Sequence, residues 1–255
     1  MIISAEEQFP NHVMLNSKNV GTSKALTGNV GMHFYLVNDG ESFWDEKAVS
    51  KLEKAIAKAI KQFETQAAEY GTWLKLKYST KNVSVNKRVD RSNWRSTLKT
   101  VLAEDSFKSV EAFKTYYEKK YGFNDSCIVL VFNKVFRSYA SSADTVVPRH
   151  TECSVVGKTE GFFTSNFSAG VIMHEILHLF GAQDLYYPLD IRICAECYFE
   201  RSLMIHSDCK VVDPLTAYLV GWKKHIDRTT REFLNATKNV TRKDVLDACE
   251  KEWKK

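Results

Sequence analysis

Residues 171–187 read VIMHEILHLFGAQDLYY, and no other stretch restricts the fold as tightly. Ile172, Ile176, Leu177, Leu179 and Phe180 call for a helix buried in a core, yet the same turns carry His174, Glu175 and His178. A histidine–glutamate–histidine group inside an apolar helix costs desolvation free energy unless something pairs with it. Helical positions four apart leave the same face one turn apart, so both imidazoles point the same way. That spacing lets both bind a single zinc ion at about 2.0–2.1 Å. Glu175 lies about a hundred degrees round the helix from His174, beside such a metal and not on it. There it can take a proton from the metal-activated water of peptide hydrolysis. A catalytic zinc needs a third protein ligand and an open fourth position. Gly181 can end the helix in a left-handed conformation and turn the chain back, which brings Asp184 within reach as that ligand. The alternative for the same residues is a core helix whose histidines bind nothing.

The rest of the chain says what body must carry this helix. The 255 residues are enough for a sizeable core, and 44% apolar with 26% charged residues excludes a disordered or fibrous chain. VGMHFYLVND (30–39) suits a buried strand ending at Asp39-Gly40. Val49, Leu52, Ile56, Ile60, Phe63 and Ala67 recur at helical spacing, and Gly71 stops that helix. TWLKLKYST alternates Leu74, Leu76 and Tyr78 with Lys75 and Lys77, the period of a strand with one wet face. A helical region over 93–121 breaks near Asp105-Ser106, and CIVLVFNKVF (127–136) reads as a central strand. The alternation predicts an α/β (α+β) fold: a mixed twisted sheet with helices packed on it.

Residues 137–165 are Ser-rich and aperiodic, with TECSVVGK as a short edge strand, and 185–210 reads as irregular. Asp213-Pro214 opens a further helix that Gly221 closes, and Thr241 with Asp244 frames a last one. No linker divides the chain. The expectation is a polar, loosely packed arm over 1–28 and one catalytic domain over 29–255, with an upper part (29–181) and a C-terminal subdomain (182–255).

The net charge of +5 comes from lysines spread through stretches such as KLEKAIAKAIK and KEWKK, which read as solvated helix faces. The pattern argues against a nucleic-acid partner. No run reaches the roughly 18 apolar residues of a membrane span. The start lacks a basic segment followed by an apolar one, so a cytoplasmic chain is expected, with export by another route left open. The six cysteines do not make a disulfide scaffold in a chain this long. Cys194, Cys197 and Cys209 crowd into one region and leave three readings: a second, structural zinc completed by Cys153 or His206, a redox-sensitive disulfide, or unlinked thiols.

HEILHLFGAQD resembles the extended zinc motif of the metzincin clan in its aspartate variant, carried by snapalysin and the immune inhibitor A type of metallopeptidase. Asp184-Leu185-Tyr186 is similar to the DLY of the latter group, and Ser202-Leu203-Met204 to the SLM of the Met-turn. Pro214 and Leu219-Val220-Gly221-Trp222 are similar to that group's helix and closing LGW. The likeness is specific over 171–222 and architectural over 30–165. The glycine and tryptophan that usually flank the Met-turn are replaced by IHSDCK, and nothing matches the extra domains of the secreted relatives. The resemblance implies a zincin-type catalytic domain. It would hold one catalytic zinc through His174, His178 and Asp184, with Glu175 as general base and Met204 under the metal. Met204 as simple core filler is the alternative. His206, where some relatives carry a tyrosine, would then be an oxyanion donor, or else a surface histidine. The implied substrate is a peptide or protein added as a strand along the sheet edge. A zinc-stabilised binding module without turnover is the competing function, and Glu175 speaks against it. An inhibitory or regulatory protein partner is left open.

Overall fold

Five strands form one sheet, in the order β2-β1-β3-β5-β4, in the computed structural model, which describes residues 18, 21–141, 152–160, 165–240 and 244. β1 (Gly28–Asn38) and β3 (Asp125–Val135) lie at its centre and are buried along most of their length, as strands covered on both faces must be. β2 (Leu74–Ser84) is an outer strand, and its Leu74 and Leu76 are buried while Lys75 and Lys77 are exposed. β1 runs parallel to both neighbours, so each pairing needs a crossover. α1 (Glu46–Glu69) supplies the first, and α2 (Trp94–Glu104) with α3 (Val110–Tyr121) the second. The predicted break between α2 and α3 is real, with Ser106 at a φ of 62°.

Strand alternation feeds two cores. Met32, Phe34 and Leu36 of β1 face α1 and α4 (Ala169–Leu179), while Tyr35 and Val37 face α2 and α3. The first core continues without a break through Leu185, Met204 and Trp222. β5 (Cys153–Lys158) pairs with β3 on one side and with β4 (Tyr139–Ser141) on the other. The expected edge strand at 151–158 is therefore an interior one, buried over its first five residues. The edge falls to antiparallel β4, too short for its alternation to stand out in a Ser-rich stretch.

The region read as irregular contains α5 (Leu189–Tyr198), which buries Ile191, Cys194 and Ala195. α6 (Pro214–Leu219) starts as expected at Asp213, whose carboxylate accepts from the Thr216 amide. α7 (Arg228–Lys238), not anticipated, is capped by Asp227 and packs Phe233 on Phe199 with ring centroids 4.9 Å apart. The helix expected from Thr241 lies outside the described residues. Of the arm, residues 21–27 are tied down. The Leu26 amide donates to the Val220 carbonyl (2.9 Å), and the Trp222 indole donates to the Leu26 carbonyl (2.7 Å). The Lys24 amide donates to Asp125, itself in a buried ion pair with Lys114. Polar residues here satisfy buried charges, so composition alone makes the segment look like surface. Among the described residues no helix is long and apolar enough to cross a membrane.

Candidate metal centre

α4 is held at both ends and in the middle. Ser168 caps it by accepting from the Val171 amide, and the Ser154 hydroxyl of β5 donates to the Glu175 carbonyl at 2.7 Å. Ile172, Met173, Ile176 and Leu177 are fully buried in the first core. At the C-terminal end Gly181 takes a φ of 101°, a conformation in which a Cβ would be strained. The reversal lets the Ala182 amide donate to the Leu177 carbonyl (3.1 Å). It also presents the Ala182 carbonyl to His178 Nδ1 at 2.8 Å and leads the chain on to Asp184.

Three atoms then converge. His174 Nε2 and His178 Nε2 are 3.1 Å apart, and Asp184 Oδ1 lies 3.0 Å from the first and 3.1 Å from the second. A tetrahedral ion with bonds of about 2.0–2.1 Å spaces its ligands roughly 3.3 Å apart, so the triangle needs little adjustment to hold one. The ring orientations sharpen the case. His174 Nδ1 lies 3.1 Å from the Leu203 carbonyl and His178 Nδ1 faces that of Ala182. A carbonyl only accepts, so each Nδ1 carries a proton and donates it. In the neutral rings both Nε2 lone pairs then face each other and a carboxylate, three acceptors with no donor between them. A cation at their centre resolves that repulsion, and the backbone carbonyls behind the rings are the supports that metal-ligating histidines need. Among the described residues this is the one cluster of three or more metal-ligating side chains.

The flanking carboxylates have opposite electrostatics. Burial pushes Glu175 up to about 7, with His174 and Arg137 opposing and Asp184 adding to the rise. Burial also works to raise Asp184, but when the facing imidazoles of His174 and His178 carry positive charge, as protons on Nε2 in place of a cation, their hydrogen bonds and charge outweigh it and hold the group well below the usual carboxylate range. One carboxyl is thus poised to exchange a proton near neutral pH and the other stays ionised, as a base and a ligand require.

No family profile matches the chain, and no curated protein sequence does. Among solved structures it is similar to metalloproteinase-II from Bacteroides fragilis, at 12% identity over 81% of this chain and 59% of that one, with a TM-score of 0.41. The chain spans about three-fifths of that structure's length.

Met204 is fully buried, and its backbone joins the site: the Leu185 amide donates to its carbonyl at 3.0 Å. Ser202 supports this turn, accepting from the Met204 amide and donating to Asp213 at 2.6 Å. A cleft opens over the cluster in two lobes of about 560 and 490 Å³, both lined by Arg137, His174, Glu175 and Tyr186. The Tyr186 ring stacks on His174 with centroids 6.1 Å apart, and burial together with the neighbouring Asp184 carboxylate pushes its hydroxyl up while Arg137 opposes the rise.

His206 is exposed and lines neither lobe, although Ile205 and Ser207 beside it do. Cys194 is buried and Cys197 exposed on α5, Cys209 lies beyond the Met204 turn, and all three are free thiols. Cys153 is buried in the other core, on the far face of the sheet from Cys194. The structure thus gathers His174, His178, Asp184 and Glu175, and among the described residues the cysteines join no group of three or more metal-ligating side chains. Sequence reasoning missed Arg137 and the carbonyls of Ala182 and Leu203. Every residue has a carbonyl, so nothing in the sequence marks these two, and Arg137 lies in the aperiodic stretch.

Proposed function

We propose that this protein is a zinc-dependent endopeptidase of the aspartate-ligand metzincin kind. The observation that carries the reading is the triangle of His174, His178 and Asp184, with its tautomers set by backbone carbonyls, opening onto a cleft beside a buried glutamate. When bound, zinc supplies Lewis acidity: it polarises the scissile carbonyl and makes water a nucleophile near neutral pH. A substrate segment pairs in extended form with β4, whose Tyr139 and Ala140 line one lobe. Glu175 takes the proton of the attacking water and hands it to the departing amine. Tyr186, stacked beside His174 in the cleft, turns its hydroxyl to the developing oxyanion, the role that His206 would otherwise fill. A binding module without turnover would need a fourth protein ligand, whereas the described residues bring together three.

Cleavage of a peptide library by the wild type and by Glu175→Ala, with metal content measured for both, tests the reading. The wild type is expected to hold about one zinc per chain and to cut, with Glu175→Ala keeping the zinc and cutting at least about 100-fold more slowly. A wild type without zinc, or a variant that cuts equally well, sinks it.

A further inference from the structure

We propose that the cleft selects acidic polypeptide segments, an inference that rests on the endopeptidase reading and names its substrate class. The cleft does not end at the metal cluster. Ser207 lines both the larger lobe and a third cavity of about 440 Å³, which runs between α1 and the N-terminal end of α4. Lys51, Lys54 and Lys58 of α1 line that cavity from one side and Lys210 from the other. At the opposite end Arg91 and Arg137 line the smaller lobe, and Lys158 lines the larger one. Apart from the metal-site carboxylates of Glu175 and Asp184, these seven basic side chains face two acidic ones among the described residues, Glu160 and Asp208. The chain as a whole has 36 basic and 31 acidic residues, so the excess is local to the groove.

The α1 lysines show that the excess has no internal use. Spaced at three and four residues, they share one helix face and repel one another. Among the described residues none of Lys51, Lys54, Lys58 and Lys210 has an ion pair. Among the described residues Arg91 lies over the face of the Tyr139 ring, 5.5 Å away, and Lys158 over that of Phe167, 6.0 Å away. A groove of one sign draws in ligands of the other and raises their local concentration. The occupant is a polypeptide because the groove's floor is a general base beside a metal cluster and its rim is a strand edge, which offers main-chain hydrogen bonds to an extended peptide.

The test uses the zinc-loaded protein and three peptides that share one cleavable core, flanked by Glu, Gln or Lys. At about 0.02 M salt kcat/KM for the Glu peptide is expected to exceed that for the Gln peptide by about tenfold, since each exposed pair contributes up to roughly fivefold, and the gap should close at about 0.5 M. Lys51→Glu/Lys54→Glu/Lys58→Glu should erase the preference for the Glu peptide over the Gln peptide, and a circular-dichroism spectrum and thermal melt like the wild type's show that the variant is folded. Lys210→Glu, across the cavity, should reduce it by itself. Equal cleavage of the Glu and Gln peptides, or preference for the Lys peptide, overturns the inference while leaving the endopeptidase reading intact. If no peptide is cut, that reading fails. Polyglutamate binding, followed by fluorescence anisotropy, then decides the groove alone: binding by the wild type and not by the triple variant supports it, and no binding overturns it. A single-stranded oligonucleotide that competes more tightly than polyglutamate of equal charge overturns the polypeptide assignment.

Discussion

Glu175→Gln should cripple turnover and at the same time stabilise the metal-free fold. Burial raises the Glu175 carboxyl from an ordinary value of 4.5 to about 7. At about 1.36 kcal/mol per pH unit, that gap corresponds to roughly 3 kcal/mol of destabilisation once the group must be charged in both states. The sign follows from proton binding. Between the two values the folded protein holds the proton and the unfolded chain does not, so the stability this group contributes is whole below pH 4.5 and is lost as pH rises through about 7. Glutamine keeps the volume and removes the charge, but its amide still leaves water at a cost of about 1–2 kcal/mol. The net gain above pH 7 is therefore about 1–2 kcal/mol, or roughly 3–6 °C in Tm for a chain of this size. Thermal melts of both proteins after chelation, at pH 5 and pH 8, measure it. The variant should melt higher at pH 8, with an advantage about 2 kcal/mol smaller at pH 5. With zinc restored, its turnover should fall by about 10²–10⁴. A variant no more stable than the wild type at pH 8, or a difference indifferent to pH, would refute the view that Glu175 is a desolvated base.

Gly181→Ala should cost about 1–2 kcal/mol in denaturant melts, because the 101° φ strains any residue with a Cβ. It should also weaken zinc binding by about 10–100-fold through displacement of the Ala182 carbonyl behind His178; unchanged affinity in a chelator competition would argue against that support. Tyr186→Phe should lower kcat by about 10²–10³ with KM nearly unchanged, as for the loss of an oxyanion donor, whereas a purely substrate-lining tyrosine would move KM. Lys114→Met leaves Asp125 buried and unpaired and should cost about 3–5 kcal/mol in urea unfolding. Adding Asp125→Leu should recover part of that, and no recovery would mean the pair does not act as a unit.

Much of this was legible because it is periodic and local. The α1 stripe from Val49 to Ala67, the apolar β3 run and the four-residue step from His174 to His178 each lie within a few turns or one strand, and backbone geometry alone converts such spacing into a shared face. The left-handed turn at Gly181 was readable for the same reason, since few residues but glycine tolerate it. The three-residue edge strand at Tyr139–Ser141 is too short for a pattern, and α5 is irregular in its apolar spacing and crowded with cysteines. Residues 21–27 look like a loose arm only until Asp125, Lys114 and Glu152 arrive from 90 or more positions away.

The sequence by itself determined the chemistry on offer: two imidazoles on one helix face, a carboxylate beside them, and a glycine hinge leading to a second carboxylate. Tertiary structure decided how those groups are used. It supplied the Leu203 and Ala182 carbonyls that set both tautomers, the burial that raises Glu175 and the histidine contacts that hold Asp184 down. It also gathered lysines from α1 and from beyond the Met204 turn along one groove. The physical reason is that ligand identity and helical phase are local properties of the chain, whereas desolvation, backbone hydrogen bonds between distant segments and the charge of a groove exist only once those segments meet.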